Sequence, residues 1–422
     1  MTIFNKTIFT GFSPNLTGRD TALALSYLFL PWRWPNLING EYVKLAEKKL
    51  RQYFNIKHVY AFDSGRSALY YGLKALGARQ SDEILVQAYT CVVVINAIKW
   101  AGAKPVFVDI GEDFNIDPAD LENKITAETK ILIIQHTFGL PAKLDEILAI
   151  AKRHNLKVIE DCAHSLGARY QGKLTGTFGH IGMLSFGSDK IISCARGGAL
   201  MADDDEIGFK IKELNSQLPE SPILKTIQHL SHYPVFYIAK PVYHLFIGKI
   251  ILILAKKLNI INKIIYKQEK IGEPVKFYPA KLANALANIL CYQIDEIEQL
   301  NSHRQAISEI YSQEINNQKI NLPWRDNQVN LKNCACLRYP ILFKKPAELL
   351  SYAKKQRIIL GDWYSPVIAP ADIDFSKIGY LNDCPKAELL AGQSVNLPAG
   401  RQINLRDAKK IIKVINSFSD PN

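Results

Sequence analysis

Between Val59 and Ala202, short apolar runs alternate with longer stretches whose apolar positions recur at helical spacing. The runs 84–86, 105–108, 131–134, 158–159 and 182–186 predict strands, and Gly197-Gly198 restarts another. The stretches 67–76, 93–100 and 144–154 predict helices between them. Runs that are apolar throughout belong to strands buried on both faces, so the alternation predicts a mostly parallel sheet covered by helices on both sides. Ligands of such sheets bind beyond the carboxyl ends of the strands.

The pattern is less regular outside this block. Residues 1–40 read as irregular, with Pro14, Pro31 and Pro35 breaking any long element. The segment Pro31-Trp32-Arg33-Trp34-Pro35 suits either a ligand-facing patch or the anchor of an N-terminal arm. A helix opens at Gly40-Glu41, and residues 280–304 predict one long helix followed by a smaller α+β domain. Cys334 and Cys336 alternate along a predicted strand as core residues. At 422 residues the chain accommodates two domains, predicted as 1–270 and 271–422.

Composition narrows the class. With 48% hydrophobic and 22% charged residues the chain reads as a soluble globular protein. The seven cysteines are scattered and odd in number, which points to a reducing interior, and Met1 to Lys6 lack a signal-peptide core; a cytoplasmic location is expected. The net charge of +12 invites an anionic partner, either a small molecule or a surface. Much of it lies between Ile223 and Lys270, within the segment 218–270, where eight lysines face one acid, Glu269, among long apolar runs. Lysines divide these runs too often for a transmembrane helix. The segment suits an in-plane membrane contact, a helical insertion packed on the protein, or a face for a dimer mate. Nucleic-acid binding is not expected, because the basic residues sit among aliphatics rather than in an aromatic-lined patch.

Three polar groups interrupt the sheet pattern where a ligand would sit. Asp63-Ser64-Gly65-Arg66-Ser67 opens a helix with small residues, and helix N-terminal N–H groups attract phosphate, although the same residues suit a simple cap. Asp161 ends a buried strand, where a carboxylate needs a cation unless it caps the next helix; His164 follows it. Lys190 follows the strand that ends at Ser185-Phe186. An anion cup, an acid for a ring nitrogen and an amine for a Schiff base are what pyridoxal 5'-phosphate requires. No metal is expected, since Asp161, Cys162 and His164 lack a second cluster with ligand spacing.

These residues belong to an ordered series of motifs. It comprises Ser64-Gly65-Arg66-Ser67-Ala68-Leu69, Ala88-Tyr89-Thr90, Gly102-Ala103-Lys104-Pro105-Val106-Phe107-Val108-Asp109, His136-Thr137-Phe138-Gly139, Glu160-Asp161-Cys162-Ala163-His164-Ser165-Leu166-Gly167 and Ser185-Phe186-Gly187-Ser188-Asp189-Lys190. In this series the chain resembles the DegT/DnrJ/EryC1/StrS family of sugar aminotransferases, closely over 36–205 and loosely beyond. The resemblance implies the aspartate aminotransferase-like fold type I, a large mixed-sheet α/β domain with a smaller C-terminal α+β domain. It implies a homodimer that uses pyridoxal phosphate to move an amino group, with glutamate as donor, onto a nucleotide-linked keto-sugar in polysaccharide or amino-sugar biosynthesis. Lys190 would bond the cofactor and shuttle the proton, Asp161 would hold the ring nitrogen, and His164 would sit beside the ring. Gly65, Arg66, Ser67 and Ser185 would hold the phosphate, and either Cys91 or Tyr89 would take the ring face. Lys276 or Lys281 would replace a basic residue that reaches the partner's phosphate. Leu360-Gly361-Asp362-Trp363-Tyr364 and Asn396-Leu397-Pro398 are similar to late substrate-side segments, and equally suit turn and core. Arg196 departs from the family's acid in the segment after the lysine. A sugar dehydratase and a non-catalytic regulatory or membrane-associated homologue are the rival readings; Lys190 disfavours the dehydratase.

Overall fold

The computed structural model describes residues 6–13 and 15–419. Met1 to Asn5 and Pro14, on which part of the N-terminal reading rests, lie outside the described residues. Seven strands form the central sheet: β1 (His58–Phe62), β2 (Glu83–Gln87), β3 (Lys104–Val108), β4 (Thr129–Gln135), β5 (Lys157–Asp161), β6 (Ile181–Ser185) and β7 (Gly198–Ala202). Their spatial order is β1-β7-β6-β5-β4-β2-β3. Only β7 runs antiparallel to its neighbours. The expected mixed, mostly parallel α/β architecture is the one the chain adopts.

Ten helices matter for the site: α1 (Gly18–Phe29), α2 (Tyr42–Phe54), α3 (Gly65–Ala75), α4 (Val92–Trp100), α5 (Leu144–Arg153), α6 (Asp205–Ser216), α7 (Ile223–Ala239), α8 (Ile247–Lys257), α9 (Asn284–Ile294) and α10 (Ile297–Glu314). Because successive strand residues point to opposite faces, each strand feeds two cores. Val86, Ile133 and Ile159 pack with Leu69, Leu73, Ile95 and Ile98 of α3 and α4. Leu85, Leu132, Ile134 and Val158 pack with Leu144, Ile147 and Ile150 of α5. Both faces are buried, which is why these strands read as unbroken apolar runs.

Three expectations need correction. Residues 1–40 are not all irregular, since α1 spans twelve of them. Thr17 caps it by accepting the Asp20 N–H at 3.1 Å, and Ala24 and Tyr27 are buried beneath it. Pro31 falls just beyond the helix, after its C-cap Leu30. Residues 280–304 are not one helix either. The chain turns at Asp295-Glu296, between α9 and α10, where Lys49 pairs with Asp295 while Arg19 and Arg401 pair with Glu296 at 2.8 and 2.9 Å. Neither Gly nor Pro marks that break; charges from distant elements hold it. Cys334 and Cys336 lie in a packed loop, not a strand. Cys336 has φ +45°, and the neighbouring Ala335 and Leu337 N–H groups bond Gly139 and Phe138 carbonyls. Both cysteines are buried, as are the other five, and all seven are free thiols.

Beyond α10, strands Arg338–Leu342 and Ser394–Pro398 pair antiparallel beside helices Pro346–Lys355 and Leu405–Asn416. The early strand Ile8–Phe9 crosses over to pair with Ile358–Ile359. Residues 218–270 form α7 and α8 with connecting turns. Leu230 and Tyr233 bury α7 against Ala24 and Tyr27 of α1, and Phe236, Ala239, Leu252, Ala255 and Ile261 make a small core of their own. Among the described residues no helix is long and apolar enough to cross a membrane.

Candidate active site

The carboxyl ends of β5 and β6 and the N-terminus of α3 open into one cavity of about 680 Å³. This lies within the range of small-molecule sites. β5 ends at Asp161, and the parallel register sets Met183 beside it, so Ser185 ends β6 one step further out. Lys190 follows five residues later in the loop. Asp161, Ser185 and Lys190 thus reach one floor because neighbouring parallel strands stop together.

α3 contributes the next wall. Ser64 is its N-cap, with Oγ accepting the Ser67 N–H at 3.3 Å. The Gly65 and Arg66 N–H groups, at the first helical positions, find no acceptor among the described residues. Gly65 is required by proximity, since a Cβ there would stand 2.8 Å from the Ser185 Oγ. Gly198 is equally constrained, its Cβ falling 2.5 Å from the Gly65 nitrogen. The Arg66 side chain turns away from the cup. It pairs with the buried Glu269, donates to the Ile264 carbonyl at 2.8 Å and lies over the Tyr278 ring.

Asp161 is 3% exposed, and among the described residues its side chain accepts one hydrogen bond, from the Ala163 N–H at 2.9 Å. Burial pushes its carboxyl above the ordinary range, while the charge of Lys190 opposes that rise. Burial, Lys190 and Arg338 hold His164 well below the usual imidazole value, so it is neutral. Its Nδ1 accepts the Phe138 N–H at 3.4 Å, which leaves Nε2–H to face the Tyr364 hydroxyl at 3.4 Å. Cys91 lines the cavity as a thiol, since burial raises its pKa. Tyr89 lies behind the wall, its hydroxyl accepting the Tyr364 N–H at 3.0 Å and meeting Ser394 Oγ at 3.1 Å. Of the two alternatives for the ring face, Cys91 is the one that fronts the cavity. Ser67 is also set back, bonded to Ser64.

Several lining residues carry little sequence signal. Trp363 and Tyr364 form a wall, with the Lys190 Nζ 5.7 Å and the Arg338 guanidinium 4.8 Å from the Trp363 ring. Asp189 pairs with Arg338 at 3.1 Å, fixing the loop beside Lys190. A lone arginine in the apolar run 335–342 is the only trace of that pair in the sequence. His229, His232 and Phe236 of α7 and residues 261–265 roof the cavity, and Phe12 and Ser13 reach in from the N-terminal arm. Trp32 and Trp34 do not; both are exposed elsewhere. Neither Lys276 nor Lys281 lines this cavity, and Lys281 pairs with Glu220 at 2.8 Å.

His136, Glu160 and Cys162 cluster with metal-ligand proximity, but their lone pairs are committed. Glu160 takes N–H groups from Gly176, Phe178 and Gly179, and His136 accepts the Ala142 N–H at Nδ1 and so donates from Nε2 to Glu160. Burial raises the Glu160 carboxyl, and these bonds more than reverse it, leaving the pKa lowered. The cluster is a hydrogen-bonded brace under β5.

The donor set fits pyridoxal phosphate on chemical grounds. A buried carboxylate lacks a cation, two helix N–H groups beside a serine lack an acceptor, and a lysine amine shares their cavity. Known proteins agree in kind. The model of the DegT/DnrJ/EryC1/StrS aminotransferase family matches residues 33–222 and 256–416. GDP-perosamine synthase of Escherichia coli O157:H7 is 36% identical over 194 residues, 46% of this chain and 52% of that protein. The chain thus spans about half the length of such curated relatives. The pleiotropic regulatory protein of Geobacillus stearothermophilus is 28% identical over 92% of this chain and 91% of its own. Helicobacter pylori PseC, an aminotransferase involved in the biosynthesis of pseudoaminic acid, shares the fold at TM-score 0.73 and 21% identity, over 98% of this chain and all of that one. From the strand-end site to the run of matched residues, the chain belongs to the DegT/DnrJ/EryC1/StrS aminotransferase family.

Proposed function

We propose that this chain is a pyridoxal-phosphate-dependent aminotransferase that moves an amino group from glutamate to a nucleotide-linked keto-sugar, as a homodimer in the cytoplasm, for polysaccharide or amino-sugar biosynthesis. The observation that carries the reading is Asp161, a buried carboxyl that has no ion pair among the described residues and faces the same cavity as the amine of Lys190. The name of GDP-perosamine synthase supports a nucleotide-linked sugar. The basic balance of the chain suits a diphosphate. In this reading the large domain ends near residue 270.

When bound, pyridoxal phosphate supplies the electron sink that makes amino transfer accessible. Asp161 holds a proton on the ring nitrogen through its carboxylate, an ion pair that burial strengthens. Gly65 and Arg66 N–H groups and the Ser185 hydroxyl would hold the phosphate, and Cys91 and His164, which line the same cavity, would stand beside the ring. Lys190 Nζ takes the proton from the donor's α-carbon and returns it on the other side of the transfer. The roof of α7 and residues 261–265 excludes water from that proton path. The test is to incubate the protein with pyridoxal phosphate, glutamate and a panel of keto-sugar nucleotides. Stoichiometric 2-oxoglutarate and amino-sugar support the proposal; release of ammonia or water without amino transfer overturns it in favour of a dehydratase.

A second reading concerns residues 218–270. Among the described residues, fourteen of the twenty-five exposed large apolar side chains lie between Ile223 and Ile264, beside exposed lysines. This segment is proposed to rest on an anionic membrane surface. Sedimentation with phosphatidylglycerol vesicles, but not with phosphatidylcholine vesicles, is the expected result. Equal recovery in the supernatant of both refutes it.

A further inference from the structure

Arg196 is 7% exposed, yet its Nε and Nη2 meet no hydrogen-bond partner among the described residues. Its guanidinium carbon lies 4.6 Å from the centre of the Tyr278 ring and 5.8 Å from that of Phe277. Arg66 shares the Tyr278 ring at 5.6 Å, but Arg66 is neutralised by Glu269. Arg196 has no such partner. Asp63 feels its charge through space and spends its own hydrogen bonds on Ser64 and Ser67. A buried guanidinium with two free donors is costly unless an anion completes it.

The place of that anion follows from the loop. Arg196 stands two residues before Gly198, whose backbone touches Ser64 and Gly65 so closely that no Cβ fits between them. Arg196 belongs to the wall of the same cavity as Gly65, Arg66 and Ser185. Its unpartnered Nε and Nη2 are buried within that wall, which also carries the free N–H groups at the start of the eleven-residue α3. A guanidinium is a rigid fork suited to two-point contact with phosphate oxygens.

We propose that Arg196 completes a phosphate site within this single chain, closing over a phosphate dianion held by Gly65 N–H, Arg66 N–H and Ser185 Oγ. The inference rests on the aminotransferase reading for the identity of the phosphate, which belongs either to the cofactor or to the substrate's diphosphate. The two sources separate experimentally. Wild type, Arg196→Gln and Arg196→Lys are titrated with pyridoxal phosphate and with pyridoxal, which lacks the phosphate, and the loaded proteins with UDP and GDP. A melting curve of each variant verifies folding. For the cofactor, Arg196→Gln weakens pyridoxal phosphate by roughly ten- to hundredfold, leaves pyridoxal unchanged, and Arg196→Lys recovers part of the loss. The same loss confined to UDP or GDP supports the site with the substrate as its ligand. Equal weakening of pyridoxal and pyridoxal phosphate, or no change for any phosphate, overturns the proposal. If the wild type binds neither pyridoxal compound, the aminotransferase reading has failed, and calorimetry with inorganic phosphate decides this one. Binding that Arg196→Gln removes supports it, and absence of binding overturns it.

Discussion

The floor and the roof of the cavity are built by different rules. The floor consists of Asp161 and Ser185 at strand ends, Lys190 in the loop after β6 and Gly65 at a helix start; sheet register holds the first two and close backbone packing holds Gly65. The roof consists of α7, α8 and the turns after them, a satellite core of few side chains with its outer face left apolar and basic. The family match covers the floor and lapses over residues 223–255, within the roof. Residues that must hold a reactive group to a fraction of an ångström sit on the sheet, while the segment outside the family match sits over the cavity mouth on helices with a small core of their own.

The comparison breaks most clearly at Asp161. Asp161→Asn keeps the shape but loses the charge, and amino transfer is expected to fall on the order of a hundredfold with folding intact. A loss of less than about twofold by steady-state kinetics would remove Asp161 from the floor's machinery.

The floor was legible in the sequence for a physical reason. Buried parallel strands write unbroken apolar runs, and a polar residue that ends such a run stands out, as Asp161 does; Lys190 is marked instead by the motif that follows β6. The turn at Asp295-Glu296 was not legible, because its cause is ion pairs with Lys49, Arg19 and Arg401, far away in the chain. The prolines of residues 1–40 suggest breaks, yet the twelve residues of α1 contain none. Arg338 and the histidines of α7 meet the site through tertiary packing alone, so no local pattern announces them, whereas Trp363 and Tyr364 lie in a segment read as similar to a substrate-side one. Tyr89 was readable as part of a motif, but its position behind Tyr364 was not.

Gly65 sharpens the contrast next. Gly65→Ala pushes a methyl to 2.8 Å from Ser185, and overpacking of about 1–3 kcal/mol is expected to weaken pyridoxal phosphate by about tenfold, measured by spectral titration. An unchanged affinity would show that the cup relaxes as freely as a loop.

A pH experiment probes the same floor without changing backbone packing. Burial raises the Asp161 carboxyl above its unfolded value of 3.8, so the empty protein loses stability as pH rises through the folded pKa. A bound cationic ring reverses that loss. The increase in melting temperature on adding pyridoxal phosphate is therefore expected to grow upward from the ordinary carboxylate range. In Asp161→Asn that growth should flatten; an equally steep rise in the variant would assign it to another group.

The smallest effect belongs to the roof's outer face. Ile250→Ser and Ile253→Ser replace exposed side chains and should alter stability by no more than about 0.5 kcal/mol in denaturant melts. A larger loss would mean that this face is packed in solution against a second copy, and analytical ultracentrifugation would show the dimer loosening.

The central claim is that Lys190 and Asp161 serve one bound cofactor at the strand ends. It is tested most directly by the absorption spectrum of wild type and Lys190→Ala with pyridoxal phosphate, before and after glutamate. The account predicts a band near the visible edge in wild type that glutamate shifts to the amino form of the cofactor, and no such band in Lys190→Ala. A wild-type band that glutamate leaves unchanged, or the same conversion in Lys190→Ala, would contradict it.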